Sequence, residues 1–161
     1  MATLHLICGT ISSGKTTYAR HMMEKSPALL LSVDEVTLAL SSVIPPENHD
    51  LTTPLVKQWL MDKAREALAA GLDVIFDWGF WKKDERAEYE RLLSAENIPH
   101  VWHYIDISNE RWEEQIAKRN AAVLQGETSA YFVDDGLKAK CVSWFEPPCR
   151  KEIDVWYIPE N

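Results

Sequence analysis

Residues 9 to 16 read G-x-x-x-x-G-K-T, and each residue type in that spacing has a physical task at an anion. Gly9 and Gly14 let the backbone curl without a Cβ clash and turn its N–H groups inward, where they can meet phosphate oxygens. Lys15 adds a mobile ammonium for the β- and γ-phosphates, and the Thr16 hydroxyl is placed to ligate Mg²⁺. Thr10, Ser12, Ser13 and Thr17 complete the group expected to touch a bound ATP through N–H or hydroxyl groups.

Acids follow two apolar runs further along. Ala28 to Val33 leads into Asp34-Glu35, and Val74-Ile75-Phe76 leads into Asp77. Open α/β sheets gather their ligands at the carboxyl ends of strands, so both acids are expected to face chemistry. Between Lys15 and Asp34 there is room for one helix and one strand, too little for an ATPase in which a later strand carries Asp-Glu. Val74 to Asp77, a third strand ending in an acid, is the better Walker-B-like element, and Asp34 is left to do something else. Arg119 precedes residues 120–136, expected to form a short lid from which an arginine closes over the triphosphate as charge moves. Arg111, earlier on the same helix, is the second cation expected at the phosphates. Trp78, Phe80 and Trp81 surround Gly79 after the third apolar run, and they are expected to wall the acceptor, with Gly79 admitting it close to the backbone.

The intervening elements must position these groups. Continuous apolar character over residues 3–8, 28–33 and 74–77 predicts strands covered on both faces. Residues 101–105 and 153–158 supply two more. Helices are expected over 14–25, 54–70, 81–96, from Ser108 through Arg119, and over 135–144, with 41–53 as a loop beside the site. Strands alternating with helices give an α/β domain, a five-stranded parallel sheet with helices on both faces, in one unit over 1–161.

Composition narrows the function. At 161 residues, 46% hydrophobic and 26% charged, the chain has the make-up of a soluble single domain. A net charge of -8 argues against holding long nucleic acid, which calls for a basic stripe. Lys82-Lys83 and Arg150-Lys151 read as solvated surface. The start of the chain lacks the pattern of a signal peptide and no apolar run reaches membrane length, so a cytoplasmic protein without a membrane partner is expected, as a monomer or weak dimer. Cys8, Cys141 and Cys149 have no metal-ligand spacing and are expected as free thiols.

Gly9 to Thr17, Ser32-Val33-Asp34-Glu35, Val74 to Asp77 before an aromatic turn, Arg119 before a lid and the late Phe145-Glu146-Pro147-Pro148 together resemble a group of small P-loop kinases. These are the AAA-type ATP-binding proteins of the polynucleotide-kinase and zeta-toxin kind, which include chloramphenicol phosphotransferase. The resemblance implies a P-loop kinase fold, with Asp34 as general base toward a substrate hydroxyl, Arg119 as a lid arginine and Asp77 holding acceptor or metal water. Polynucleotide kinases carry several arginines in the lid, whereas residues 120–149 hold only Lys138 and Lys140 as fixed cations. The expected activity is thus ATP-dependent phosphoryl transfer to a small hydroxyl-bearing molecule, antibiotic- or nucleoside-like. A 5'-hydroxyl polynucleotide kinase and a nucleotide-dependent switch without an acceptor stand as alternatives.

Overall fold

The computed structural model describes residues 1–159. Five parallel strands form one sheet: β1 (Leu4–Cys8), β2 (Ala28–Leu31), β3 (Asp73–Gly79), β4 (His100–Ile105) and β5 (Val155–Tyr157), in the order β2-β3-β1-β4-β5. The central strands earn their place by being apolar on both faces: Leu4, Leu6, Ile7, Cys8, Val74, Ile75 and Phe76 have no exposure at all. The edges are shorter and wetter. β2 has four residues and β5 three, with Leu29, Val155 and Tyr157 exposed.

Helices α1 (Lys15–Lys25), α2 (Val33–Ala39), α3 (His49–Ala69), α4 (Lys83–Ala95), α5 (Asn109–Leu124) and α6 (Asp135–Trp144) complete the fold. Strand alternation divides the core between the two faces. Leu6, Cys8, Phe76 and Tyr104 pack with Met61 and Ala64 of α3 and Leu93 of α4, while Ile7, Ile75 and Ile105 pack with Ala19 of α1.

Three elements differ from their sequence expectation. β2 stops at Leu31 because Ser32 turns into an N-cap, its Oγ accepting from the Glu35 N–H at 3.4 Å, so Asp34 lies in the first turn of α2. Residues 41–53 are not all loop, since a short 3-10 turn at Pro46–Asn48 feeds α3, which starts at His49 and carries Pro54 inside its helix. Thr52 and Thr53 hydroxyls donate to the carbonyls of Asn48 and His49, and this back-bonding ties down the turn next to the proline. The helix bearing Arg119 also runs past it to Leu124, which shortens the expected lid to the non-helical stretch 125–134.

β1 and β3 slip register near the site. Leu6 lies opposite Phe76, but Cys8 lies opposite Gly79, so β3 carries one extra residue where Asp77 and Trp78 sit. Such bulges bend a strand and re-aim its side chains.

Candidate active site

The phosphate loop closes through Gly14, whose φ of 95° favours a residue without Cβ. α1 begins at Lys15 with no side chain capping it, which leaves its first N–H groups open at the positive end of the helix dipole. Gly9 donates its N–H to the Gly79 carbonyl at 2.9 Å and so hangs the loop from β3. A Cβ on Gly9 would stand 2.7 Å from Ser13 Oγ. That hydroxyl is buried without a hydrogen-bond partner, an orphan donor inside an anion-sized cradle.

Lys15 folds back across the loop and donates to the Thr10 carbonyl at 2.7 Å. Burial lowers its pKa, and the nearby Asp77 and Asp34 work against that shift. Thr16 Oγ1 donates to Asp77 Oδ2 at 2.5 Å across from α1 to the end of β3. A hydroxyl and a carboxylate held together are hard oxygen donors of the kind Mg²⁺ takes alongside phosphates and water. No cluster of three or more His, Cys, Asp or Glu side chains forms a dedicated metal cage among the described residues.

Asp34 faces the same cleft from α2. The residue is exposed to solvent, yet enough protein lies around its carboxyl for burial to be felt. That burial raises its pKa, with Lys15 opposing, Asp77 reinforcing, and Arg119 and His49 opposing again. Capping is already done by Ser32, so the carboxylate is not consumed by the helix terminus.

Arg119 reaches the loop from the middle of α5. Its Nε donates to the Tyr131 carbonyl at 2.8 Å and its Nη1 to Ser12 Oγ at 3.4 Å, so one guanidinium joins the phosphate loop to the 125–134 stretch. Burial lowers its pKa, and Asp34 and Asp77 are among the groups raising it. Asn120 fixes that stretch from the next position: its amide donates to the Val133 carbonyl and its Oδ1 accepts from the Val133 N–H, both at 2.8 Å. Trp112 anchors α5 itself, its indole donating to the Ile11 carbonyl at 2.6 Å.

The structure therefore brings Lys15, Thr16, Asp34, Asp77 and Arg119 to one cleft. It separates others from it. Arg111 donates to the Pro159 carbonyl at 2.7 Å, just beyond the end of β5, instead of lying with Arg119 at the phosphate loop as expected. Phe80 is wholly buried against Tyr89 and Trp102, and belongs to the core instead of an acceptor wall. Trp78 is half-buried, stacked on Phe76 at 3.8 Å between centroids, with its indole donating to the Leu31 carbonyl at 3.0 Å. Gly79 is needed for Trp81, since a Cβ there would lie 2.6 Å from the Trp81 ring nitrogen.

Several contributors carry no sequence signal. Tyr131 donates its hydroxyl to Thr37 Oγ1 at 2.8 Å and meets His49 edge-on at 5.9 Å, which ties the 125–134 stretch to α2 and to the start of α3. Arg86 is buried and donates to the Phe80 carbonyl at 3.0 Å, to the Trp81 carbonyl at 3.4 Å and to Glu152 at 3.1 Å, clamping the turn after β3. A charged residue on the outer face of a strongly charged helix gave no hint of that burial. The three cysteines are free, with Cys8 and Cys141 buried.

An all-parallel sheet with a glycine-closed phosphate loop between β1 and α1 and an acid on β3 bonded to the loop's threonine defines a kinase-like P-loop NTPase fold. The chain belongs to the AAA domain family, whose model matches residues 4–148. Solved structures agree on the fold. Similar chains include a candidate kinase from Chloroflexus aurantiacus J-10-fl (TM-score 0.71, 17% identity, covering 98% of this chain and 85% of that one). Kti12 of Chaetomium thermophilum in complex with ADP-AlF3 is similar at TM-score 0.68 and 17% identity, over 97% of this chain and 88% of that one. The Mycobacterium tuberculosis APS kinase CysC in complex with AMPPNP and APS is similar at TM-score 0.61 and 16% identity, over 99% and 90%. No curated protein matches the chain. No helix among the described residues is long and apolar enough to cross a membrane.

Proposed function

We propose that this protein is an ATP-dependent phosphotransferase that moves the γ-phosphoryl group to a hydroxyl of a small molecule. The observation that carries this reading is Asp34: an uncommitted carboxylate in the field of Lys15 and Arg119, open to the cleft, and not required by ATP binding or by the helix it sits on. A switch without an acceptor would need the phosphate loop and Asp77 alone. Two of the similar structures are complexes with ADP-AlF3 and with AMPPNP, which supports a nucleotide in the loop here.

The chemistry follows from the residues. The loop N–H groups, Ser13 and Lys15 hold the phosphates, and Thr16 and Asp77 would hold Mg²⁺, which supplies charge neutralisation between the β- and γ-phosphates. Asp34 orients the acceptor hydroxyl and takes its proton as the new O–P bond forms and the bond to the β-phosphate oxygen breaks. Arg119 lies where it can meet charge on the transferred group, with its guanidinium fixed to Ser12 and Tyr131 beforehand, so little reorganisation is left for the moment of reaction.

Asp34→Asn tests the reading. It keeps the shape and removes the base, so ATP affinity should survive while transfer falls on the order of 10²-fold or more. A folded variant that binds ATP and transfers phosphate at the wild-type rate would remove Asp34 from the reaction and favour the switch.

A further inference from the structure

Asp34 and Thr37 stand i, i+3 on α2, which puts them side by side on one helix face. Thr37 is buried, and its hydroxyl donates back to the Val33 and Asp34 carbonyls, at 3.1 and 3.3 Å. With its one proton committed inside the helix, that oxygen can only accept from outside. It accepts from the Tyr131 hydroxyl at 2.8 Å. Among the described residues, no other hydrogen bond ties α2 to the chain beyond α4.

Tyr131 is held on its other side as well. Its carbonyl accepts from Arg119 Nε at 2.8 Å, and the same guanidinium reaches Ser12 of the phosphate loop. Two positions on, Val133 is buried against Trp112 and Ile116 of α5, and Asn120 bonds both its N–H and its carbonyl. One residue thus bonds through its main chain to a cation of the cleft and through its side chain to the helix of an acid. The bond on α2 falls about one turn from Asp34, so a shift of the helix there is a shift of the carboxylate.

We propose that Tyr131 is a positioning residue, which sets the separation between the helix of Asp34 and the guanidinium of Arg119 so that both meet the transferred phosphoryl group in register. The proposal rests on the phosphotransferase reading for the transferred group, whereas the fastening of residues 125–134 to α2 does not. Packing alone would be served as well by a phenylalanine. What the hydroxyl adds is register. Attraction between Arg119 and Asp34 supplies none, because Coulomb energy falls slowly with distance, while a hydrogen bond weakens steeply outside a narrow range of angle. Transfer needs that narrowness, since misplacing a group by about 1 Å can cost on the order of 10²-fold in rate.

Three variants test this. Tyr131→Phe keeps the ring, the carbonyl and the edge-on contact with His49 and loses only the hydroxyl. Thr37→Val removes the acceptor oxygen at nearly constant shape, and Thr37→Ser restores it. In the first measurement chymotrypsin, which cuts after phenylalanine and tyrosine alike, probes positions 131 and 132, with the cut located by mass spectrometry and melting curves showing that each variant is folded. Cleavage should be several-fold faster in Tyr131→Phe and Thr37→Val than in the wild type and Thr37→Ser. Equal rates overturn the fastening. In the second, labelled phosphate is followed from ATP to chloramphenicol, kanamycin, gluconate and adenosine. With the compound used best, kcat should fall about tenfold in Tyr131→Phe and in Thr37→Val, keep the KM for ATP within about twofold, and recover in Thr37→Ser. The double variant should be no slower than the slower single one, because both changes remove the same bond. A normal kcat in Tyr131→Phe, a loss confined to KM, or losses that multiply in the double variant overturns the positioning role and leaves the phosphotransferase reading intact. Transfer to none of these compounds, with the proteolysis contrast present, refutes that reading, and the positioning role falls with it while the fastening stands.

Discussion

Gly79→Ala should unfold the turn that hangs the phosphate loop from the sheet. Gly79 has a φ of 84°, and a Cβ there would lie 2.6 Å from Trp81 Nε1, 2.9 Å from Trp81 Cδ1 and 3.3 Å from the Gly9 carbonyl oxygen. The left-handed backbone costs an alanine about 1–2 kcal/mol. Overpacking adds about 1–3 kcal/mol, because Trp81 cannot retreat as a unit. Its carbonyl is held by the Glu146 N–H and by Arg86, and the Gly9 backbone is held to Gly79 itself. Together these amount to about 2–5 kcal/mol, or a fall in Tm of roughly 4 to 20 °C for a domain of this size. Differential scanning calorimetry reads it directly. Adding Trp81→Ala removes the ring and should restore the overlap part while leaving the backbone part, so the double variant should melt above Gly79→Ala alone. A Tm within about 2 °C of the wild type for the single change would refute both the strain and the packing argument. Because the Gly79 carbonyl accepts from Gly9, the folded fraction should also bind ATP more weakly.

Lys15→Ala should weaken ATP binding about 10- to 100-fold in calorimetry, the loss of charge-assisted bonds to phosphate at about 1.5–3 kcal/mol; unchanged affinity would remove Lys15 from the site. Arg119→Ala should lower kcat on the order of 10²-fold or more with a smaller effect on the KM for ATP, and a change in KM alone would make it a ground-state contact. Asp34 has its pKa raised by burial, so the folded state takes up its proton more readily than the unfolded chain, and its contribution to stability is lost as pH rises through the folded pKa. Asp34→Asn should accordingly raise Tm at neutral pH and lose that advantage in acid below the ordinary aspartate range, as melts across pH will register. For the same reason the acid limb of the pH–rate profile should lie above an ordinary aspartate's, and a limb at or below that range would separate Asp34 from the base.

The fold and the phosphate loop were legible because their signals are local. Apolar runs with no polar interruption must be covered on both faces, and residues 9–16 carry their chemistry in consecutive positions. What stayed hidden depends on contacts between distant elements. Ser32 had to be read as the cap that ends β2 early, and the strand pattern through Val33 outweighed it. Pro54 looked like a helix start because proline is favoured there, but threonine back-bonding allows α3 to begin at His49. Arg111 and Arg119 share a helix and a residue type. Only the third dimension sends one to the Pro159 carbonyl and the other to Ser12. Phe80 and Trp78 look alike as aromatics after a strand. Their fates diverge at the turn, where Phe80 adopts a φ of 47° and is driven into the core.

For Asp34 to act as the base of the proposed reaction, the charges of the cleft must leave its carboxylate basic beside a phosphate loop. Lys15 and Arg119 each feel Asp34 and Asp77, so before any nucleotide arrives two half-buried cations and two acids offset one another. Lys15 meanwhile rests on the Thr10 carbonyl, a neutral acceptor that a phosphate oxygen can outcompete. A triphosphate drawn into the loop takes up the attention of both cations. Asp34 then loses much of the field that holds its proton affinity down, and burial and Asp77, which raise it, are left in place. On the proposed reading, the carboxylate would become a stronger base only when there is a phosphoryl group to transfer. An acceptor hydroxyl reaching Asp34 would then meet that base at the point of use.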